Sequence, residues 1–467
     1  MSRTFSATTV FDDSGLDIAL APGLGVEGVE VSPSFFHGFA THPQVLARGL
    51  VTLADITATR YFNYVPTNER DPILSAHGDR LRAECFSACN GVYACLEIHE
   101  RGLDGGEIGR GTTNVDLSPA SRAVLSAIPA RSLLHVDVGA EGLTASTLEE
   151  SLTERPVEMP ERWVRALGNA SSMHREFHEV FSVPQSGARA FLASLPSATG
   201  TGKAGWLTNQ RGMVKVSARK TPSAVYVKGL HRLSAMKRLL THVQSMSFHA
   251  PVESNSTAGA MVSLELPGAR LTLGLTDEEW RGHSGEGSLL VDLAKPQVKE
   301  DAALLSALLS FEPIIDVDRL AREAALSPKR VEAALAVLAA SGRVGWDIHD
   351  HAYFHRELPD NPDAIEKANP RLVSARKLVA DNALRPLEGS PRTWIVRSGD
   401  AEYQTTLGEN PEVPEDGARC TCSWYLAHAG NRGPCKHVLA ASMIFSGTDI
   451  QPEKHSLTLT GKEAAKA

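Results

Sequence analysis

The spacing of apolar positions changes character along the chain, and each change marks an element. In RLRAECFSACNGVYACLEIH, residues 80–99, two apolar-rich arms flank Asn90-Gly91. That dipeptide supplies the two positive φ values of a type I′ turn, so the segment predicts a β-hairpin. Before it, short strands lead to a helix expected after Thr41-His42-Pro43; after it, Ser118-Pro119 opens a helix and LLHVDVG from Leu133 reads as a strand. Near Met159-Pro160, proline at a first helical position leads into ERWVRALGNASSMHREFHEVF. Period-two alternation follows in RGMVKVSAR and SAVYVKG. A helix then begins at Leu230, with Leu233, Met236, Leu240 and Val243 on its apolar side and His231 and Arg238 on another, and further strands run to about residue 295.

From 298 to 358 the pattern becomes helical three times, over Ala302 to Phe311, Val317 to Ala325 and Pro328 to Ala340. Two β-like segments, GWDIHD and AYFHREL, follow around Asp350-His351. Three helices and a small hairpin in this order resemble a winged helix-turn-helix, whose core would take Leu320, Leu326, Val331, Leu335 and Leu338. A polar linker and a helix from Leu372 to Leu384 then lead to a C-terminal module. The fold class expected is α+β and multi-domain. Its parts are an N-terminal mixed α/β domain (1–155), a basic α/β domain (156–296), the winged-helix-like domain (297–358), a helical linker (359–386), a small ββα module (387–448) and a disordered tail (449–467). No internal repeat is visible.

Length and a 42% apolar content suit several ordinary cores. The N-terminus MSRTFSATTVFDDSG lacks a basic segment followed by an apolar run, and no run of about eighteen apolar residues occurs, so a cytoplasmic location is expected. Six cysteines in two tight clusters are not a disulfide framework; in a reducing compartment such clusters bind metal or pack.

Three of those cysteines fall in CTCSWYLAHAGNRGPCKHV, residues 420–438. Read as ligands, they give C-x-C-x12-C-x-H: Cys420, Cys422, Cys435 and His437. Three thiolates and one neutral imidazole complete a tetrahedral Zn2+ shell, so one structural zinc per chain is expected. Upstream, WIVRSG and EYQTTL read as two strands around Gly399-Asp400, and downstream HVLAASMIF reads as a helix with Pro434 near its start. The metal would staple a hairpin to a helix in a unit too small to fold securely alone. His428, between the ligand pairs, reads as a loop residue.

This spacing and setting resemble the SWIM zinc finger, and DPILSAHGDRLRAECFSACNGVYACLEI, RGTTNVDLSPASRAVL, MPERWVRALG and AYFHRELP are similar to segments of large bacterial, especially actinobacterial, SWIM proteins. The resemblance implies a protein without established catalytic activity, in an adaptor or chaperone-linked setting beside MoxR-type AAA+ ATPases and von Willebrand A-domain proteins. It also implies a finger that binds DNA or protein.

The other cysteines, Cys85, Cys89 and Cys95 with His99, fall on the hairpin and read as packed core rather than a second zinc site. No catalytic motif stands out. SATGTGKAGW has Ser197 and Ala204 where a P-loop needs glycine and serine or threonine, and no strand precedes it. HDHAYFH, with His349, His351 and His355, reads as wing surface.

Charge is segregated. Residues 180–252 carry ten Lys or Arg and no Asp or Glu, leaving 37 basic and 55 acidic residues elsewhere. Period two would put Arg211, Lys215 and Arg219 on one strand face, and Tyr226 with Lys228 on the next. With Lys220, Arg232 and Arg238 these residues could hold a single-stranded nucleic acid, an acidic protein, a membrane surface, or acidic patches of the same chain. In the winged-helix-like region Lys329 and Arg330 stand where DNA would be read, but Asp316, Asp318, Glu323, Glu332, Asp347 and Asp350 surround them, which favours protein docking.

Overall fold

The computed structural model describes two short hairpins before residue 31 (10–12 with 15–17, and 23–25 with 28–30), then residues 34–448 apart from 63–71, 106, 158–160, 201, 252–258, 281, 284–289, 295–296, 310–311, 357–368, 409–416 and 429–432. The expected tail at 449–467 and much of the expected linker lie outside the described residues. The chain divides into two compact units, residues 1–293 with 297–370, and residues 294–296 with 371–467.

The first unit begins with β1 (Ser34–Ala40), α1 (Pro43–Thr57), β2 (Ile73–His77), β3 (Arg80–Phe86), β4 (Val92–His99) and β5 (Arg110–Asn114). Pro43 opens α1, as its position after Thr41-His42 predicts. β3 and β4 form the expected hairpin, but its loop is five residues, Ser87 to Gly91, closed by a Ser87 N–H to Val92 carbonyl bond of 2.9 Å. Only Asn90 there has positive φ (54°), so a type I′ turn does not form.

Beyond α2 (Pro119–Ala127), the strands β6 (His135–Gly139), β7 (Gly142–Ser146) and β8 (Ser151–Glu154) join β1 in a second sheet. The chain then passes through α3 (Glu161–His174), β9 (Phe177–Pro184) and α4 (Gln185–Ser194). A three-stranded sheet follows, made of β10 (Gly205–Gln210), β11 (Met213–Ser217) and β12 (Val225–Val227) in the order β11-β10-β12. The helix expected from Leu230 is a 3-10 helix, Leu230–Leu239. Leu230, Leu233, Met236 and Leu239 recur at the three-residue period of that helix and are all buried. Three strands close the region: β13 (Ser245–Pro251), β14 (Ala260–Leu266) and β15 (Ala269–Leu275).

Eight of these strands form one antiparallel sheet in the order β5-β2-β3-β4-β15-β14-β13-β9. The division expected at residue 155 therefore does not separate two cores, because β4 pairs directly with β15 from Ala269↔Ile98 to Leu275↔Val92. The element order β-α-β-β-β occurs twice, as β1-α1-β2-β3-β4 and as β9-α4-β13-β14-β15, the second copy carrying the three-stranded sheet and the 3-10 helix as an insertion. An architectural repeat thus exists without a repeat of residues.

Both faces of the large sheet are covered, and β2 and β3 are buried throughout. On one face Leu81, Ala83, Cys85, Leu96 and Ile98 pack under α1, which approaches so closely that a Cβ on Gly49 would lie 2.6 Å from Leu96 Cδ2. On the other face Arg80, Arg82, Glu84, Cys95 and Glu97 alternate with these, since Glu84 pairs with Cys95 and Cys85 with Ala94. Cys85 and Cys95 therefore point to opposite sides of the sheet and pack separately, and Cys89 lies in the loop.

The second face is covered by α3 and by α5 (Val298–Leu308), α6 (Val317–Ala324), α7 (Pro328–Ala340) and the hairpin β16 (Val344–Asp347) with β17 (Ala352–His355). The Asp316 and Ser327 side chains cap α6 and α7, accepting from the N–H groups of Arg319 and Arg330. From Ala333 to Ala340 every residue of α7 is buried. The hairpin lies against the sheet: the His77 ring and the His355 carbonyl are 2.8 Å apart, Arg80 bonds Asp350 at 2.8 Å, and Arg82 pairs with Asp347. HDHAYFH is accordingly not a free wing surface. His355 is buried, His349 Nε2 is 3.0 Å from Ser263 Oγ, and only His351 is exposed.

The second unit contains α8 (Pro370–Ala380) and a four-stranded sheet ordered β18 (Leu384–Leu387), β19 (Ser390–Ser398), β20 (Ala401–Thr406), β21 (Arg419–Cys420). Two helices follow, α9 (Ser423–His428) and α10 (Lys436–Thr448). The hairpin expected around Gly399-Asp400 is β19–β20, with Gly399 at φ 65° in its turn. No described helix is long and apolar enough to cross a membrane.

Candidate metal centre

β20 and β21 pair through Thr405↔Cys420, which fixes Cys420 at the sheet edge. Cys422 follows as the chain turns into α9, where the Tyr425 N–H donates to its Sγ at 3.3 Å. Cys435 and His437 stand at the start of α10, whose first turn closes from the Leu439 N–H to the Cys435 carbonyl at 3.0 Å. Arg371 steadies this approach, since it donates to the Pro434 carbonyl at 3.0 Å and lies 4.6 Å over the Trp424 ring.

The four expected ligands converge. One donor atom from each of Cys420, Cys422, Cys435 and His437 lies within 4.8 Å of all the others, and all four residues are buried. Zn–S bonds of about 2.3 Å and a Zn–N bond of about 2.0 Å at tetrahedral angles require donor separations of about 3.5–3.8 Å. Cys420 Sγ and His437 Nδ1 are 3.6 Å apart. The cluster therefore fits one structural Zn2+, and among the described residues no other group of this kind converges.

The surroundings favour the thiolate at Cys420 alone, while burial raises Cys422. A hydrogen bond from the Cys435 thiol, with further ones from His437, Thr405 and the Cys422 backbone, holds Cys420 down at about 3 against the effect of burial. Cys435 is pushed up because its thiol is the donor and because it is buried. One thiolate is thus already favoured, and a divalent cation supplies the charge that ionises the rest. The Thr405 hydroxyl donates to Cys420 Sγ at 3.3 Å, and the Tyr403 ring stacks on the His437 imidazole with centroids 4.6 Å apart. Such outer contacts fix ligand orientation. With four protein donors no coordination position remains for a substrate water.

The basic residues are dispersed rather than assembled as expected. Arg211 lies in the β10–β11 turn at φ 54°, and Arg219 and Lys220 lie past the end of β11, so only Lys215 of the expected strand face is within the strand. All four are exposed. Tyr226 does share the Lys215 face, through Trp206↔Tyr226 and Thr208↔Lys215. Lys228 is paired with Glu278 and Arg238 with Asp55. Arg232 is 1% exposed and donates to the carbonyls of Lys228, Gly91 and Thr276, so it is a structural strut and not a surface contact. In α7 Lys329 is exposed, while Arg330 bonds Asp301 at 2.6 and 2.9 Å. Trp206, which the sequence reading passed over, stands beside Tyr226 with ring centroids 5.1 Å apart. Its place in the alternating segment GWLTNQ next to RGMVKVSAR was the available signal.

Comparison with known proteins agrees at the C-terminus. Residues 403–443 match the SWIM zinc finger family. No curated protein matches the chain. Among solved structures, one similar chain is a proliferating cellular nuclear antigen from Entamoeba histolytica, with 11% identity over 52% of this chain and 99% of that one and a TM-score of 0.34. Another belongs to the PCNA2-PCNA3 complex from Sulfolobus tokodaii, with 10% identity, 52% and 100% coverage and a TM-score of 0.37. At such identity and TM-score the likeness carries nothing over to this chain.

Proposed function

We propose that the protein is a non-enzymatic adaptor, in which zinc folds the C-terminal unit into a docking module for a protein assembly. The observation that carries this reading is the closed ligand set: four buried protein donors leave zinc to build a surface rather than to activate water. That surface presents Leu426, 72% exposed on α9. An exposed leucine of this kind suits an apolar contact to a protein partner. On the SWIM resemblance the partner is a MoxR-type AAA+ ATPase or a von Willebrand A-domain protein in the cytoplasm of a bacterium.

The three helices and hairpin of residues 297–358 are, in this reading, a winged helix-turn-helix turned to docking inside its own unit. The helix that would read DNA is buried from Ala333 onward, and the hairpin is occupied by ion pairs with the sheet. This weighs against DNA reading through that module. The test is binding of the purified, zinc-loaded chain to a purified MoxR-type ATPase and a von Willebrand A-domain protein from the same genome, by calorimetry. Binding that is lost in Leu426→Asp and after chelation supports the adaptor. Absence of binding to both, or a zinc-dependent hydrolytic activity, overturns it.

A further inference from the structure

The three-stranded insertion makes a surface that the adaptor reading does not use. Strand register puts Trp206, Tyr226 and Lys215 on one face of β10, β11 and β12, while Leu207, Val225 and Val227 are buried on the other. The Trp206 and Tyr226 rings are tilted at 56° to each other, each half-buried. Lys220 Nζ lies 5.3 Å above the Trp206 ring, and Arg219 is its exposed neighbour. Arg211 stands in the turn at the opposite end, about five residues or 16 Å away along the strands. A row of cations thus follows the β11 side of an aromatic pair.

Charge decides the occupant. Residues 180–252 contribute no carboxylate to this sheet, and the acids that approach it, Glu278 and Glu279, stand at the end of β12, where Glu278 is taken by Lys228 and Glu279 lies against Gly202 and Gly229, away from the β11 side. An acidic protein would be met by the cations alone and would have no use for two adjacent rings. Single-stranded nucleic acid uses both, because every base has a face that stacks on an aromatic ring and every link carries a phosphate charge. We propose that this face binds single-stranded nucleic acid, with bases stacking on Trp206 and Tyr226 and phosphates running past Lys220, Arg219, Lys215 and Arg211. Binding displaces Lys220 from the Trp206 ring toward a phosphate. The face lies in the first unit and the zinc cluster in the second, so the two assignments rest on different residues and are tested separately.

The test uses the full, zinc-loaded chain with fluorescent oligo(dT) and oligo(rU) of twelve nucleotides, across a salt series, with polyglutamate as competitor. Four phosphate contacts give a slope of about −3 in log K against log salt. Trp206→Leu and Tyr226→Leu are each expected to weaken binding about tenfold with little change in melting temperature. Lys215→Glu with Lys220→Glu is expected to lower affinity and flatten the salt slope. Cys435→Ser should leave oligonucleotide binding intact. The proposal is overturned by no binding at low salt, by binding indifferent to both aromatic variants, by loss in Cys435→Ser, or by polyglutamate competing as well as the oligonucleotide, which would mark a surface for an acidic protein. As a second readout, quenching of tryptophan emission by oligo(dT) should vanish in Trp206→Phe.

Discussion

Arg356 donates from Nε and Nη2 to the two carboxylate oxygens of Glu84, both at 2.7 Å, with each side chain 1% exposed. This fork joins the residue after β17 to the centre of β3 and so clamps the helical module to the sheet. Burial pushes the Glu84 carboxyl up, and the Arg356 guanidinium with the Tyr93 hydroxyl more than reverses it. Removing one partner strands the other charge in the interior. Arg356→Gln should therefore destabilise the first unit by about 3–5 kcal/mol, seen as a lower urea midpoint. The double variant Glu84→Leu with Arg356→Leu should recover much of that loss, because no unpaired charge is left.

Acid should loosen the same face. Burial, chiefly, pulls His77 well below its ordinary value, His249 and His283 to about 4, and His349 and His355 to about 3. Each binds its proton more weakly folded than unfolded, so its contribution is complete above pH 6.5 and is lost as pH falls toward the folded value. The upper limit is about 1.4 kcal/mol per pH unit for each ring. Glu97 runs the other way: burial, then Asp347, raises it to about 7, so it disfavours the fold increasingly between about pH 4.3 and 7 as pH rises. One carboxyl opposes several imidazoles. The melting temperature is expected to drop between pH 7.5 and 5.5, and a flat or rising profile would contradict these assignments.

Gly168 sets the contact between α3 and α7. A Cβ there would lie 2.6 Å from Ala340 Cα and 3.0 Å from the Ala339 carbonyl oxygen, backbone atoms that cannot step aside. Gly168→Ala should cost about 1–3 kcal/mol through overpacking, although alanine is the better helix former in isolation. A thermal melt of this variant beside an exposed alanine substitution separates the two effects.

Zinc removal should act on the C-terminal unit. The metal joins β21 to the first turn of α10, and binding energy there is folding energy. After chelation, amide exchange in residues 390–408 and 435–445 should rise to near the rate of an unfolded chain, while β3, β4, β14 and β15 keep their protection. Restoring zinc should restore the slow exchange.

What was legible in the sequence followed range. The metal ligands were readable because C-x-C and C-x-H are local spacings tied to a donor chemistry, and β3–β4 and β19–β20 were readable because each is a hairpin. The shared sheet was not readable, since the pairing of Leu271 with Leu96 joins strands far apart in the chain and no residue pattern marks it. The same distance hid the fate of charges: Arg232 looks like a surface cation until the carbonyls of Gly91 and Thr276 enclose it, and HDHAYFH looks like an exposed wing until His77 and Ser263 meet it. The basic row was half legible. Alternation placed Lys215 correctly, but the turn at Arg211-Gly212 and the strand end at Ser217 leave Arg211 and Arg219 beyond the two ends of the strand.

The most direct test of the zinc-built module is native mass spectrometry of the full chain. One zinc per chain is expected, lost in Cys435→Ser and His437→Ala and retained in the triple variant of Cys85, Cys89 and Cys95 to serine. Zinc retained in Cys435→Ser, or lost from that triple variant, would contradict it.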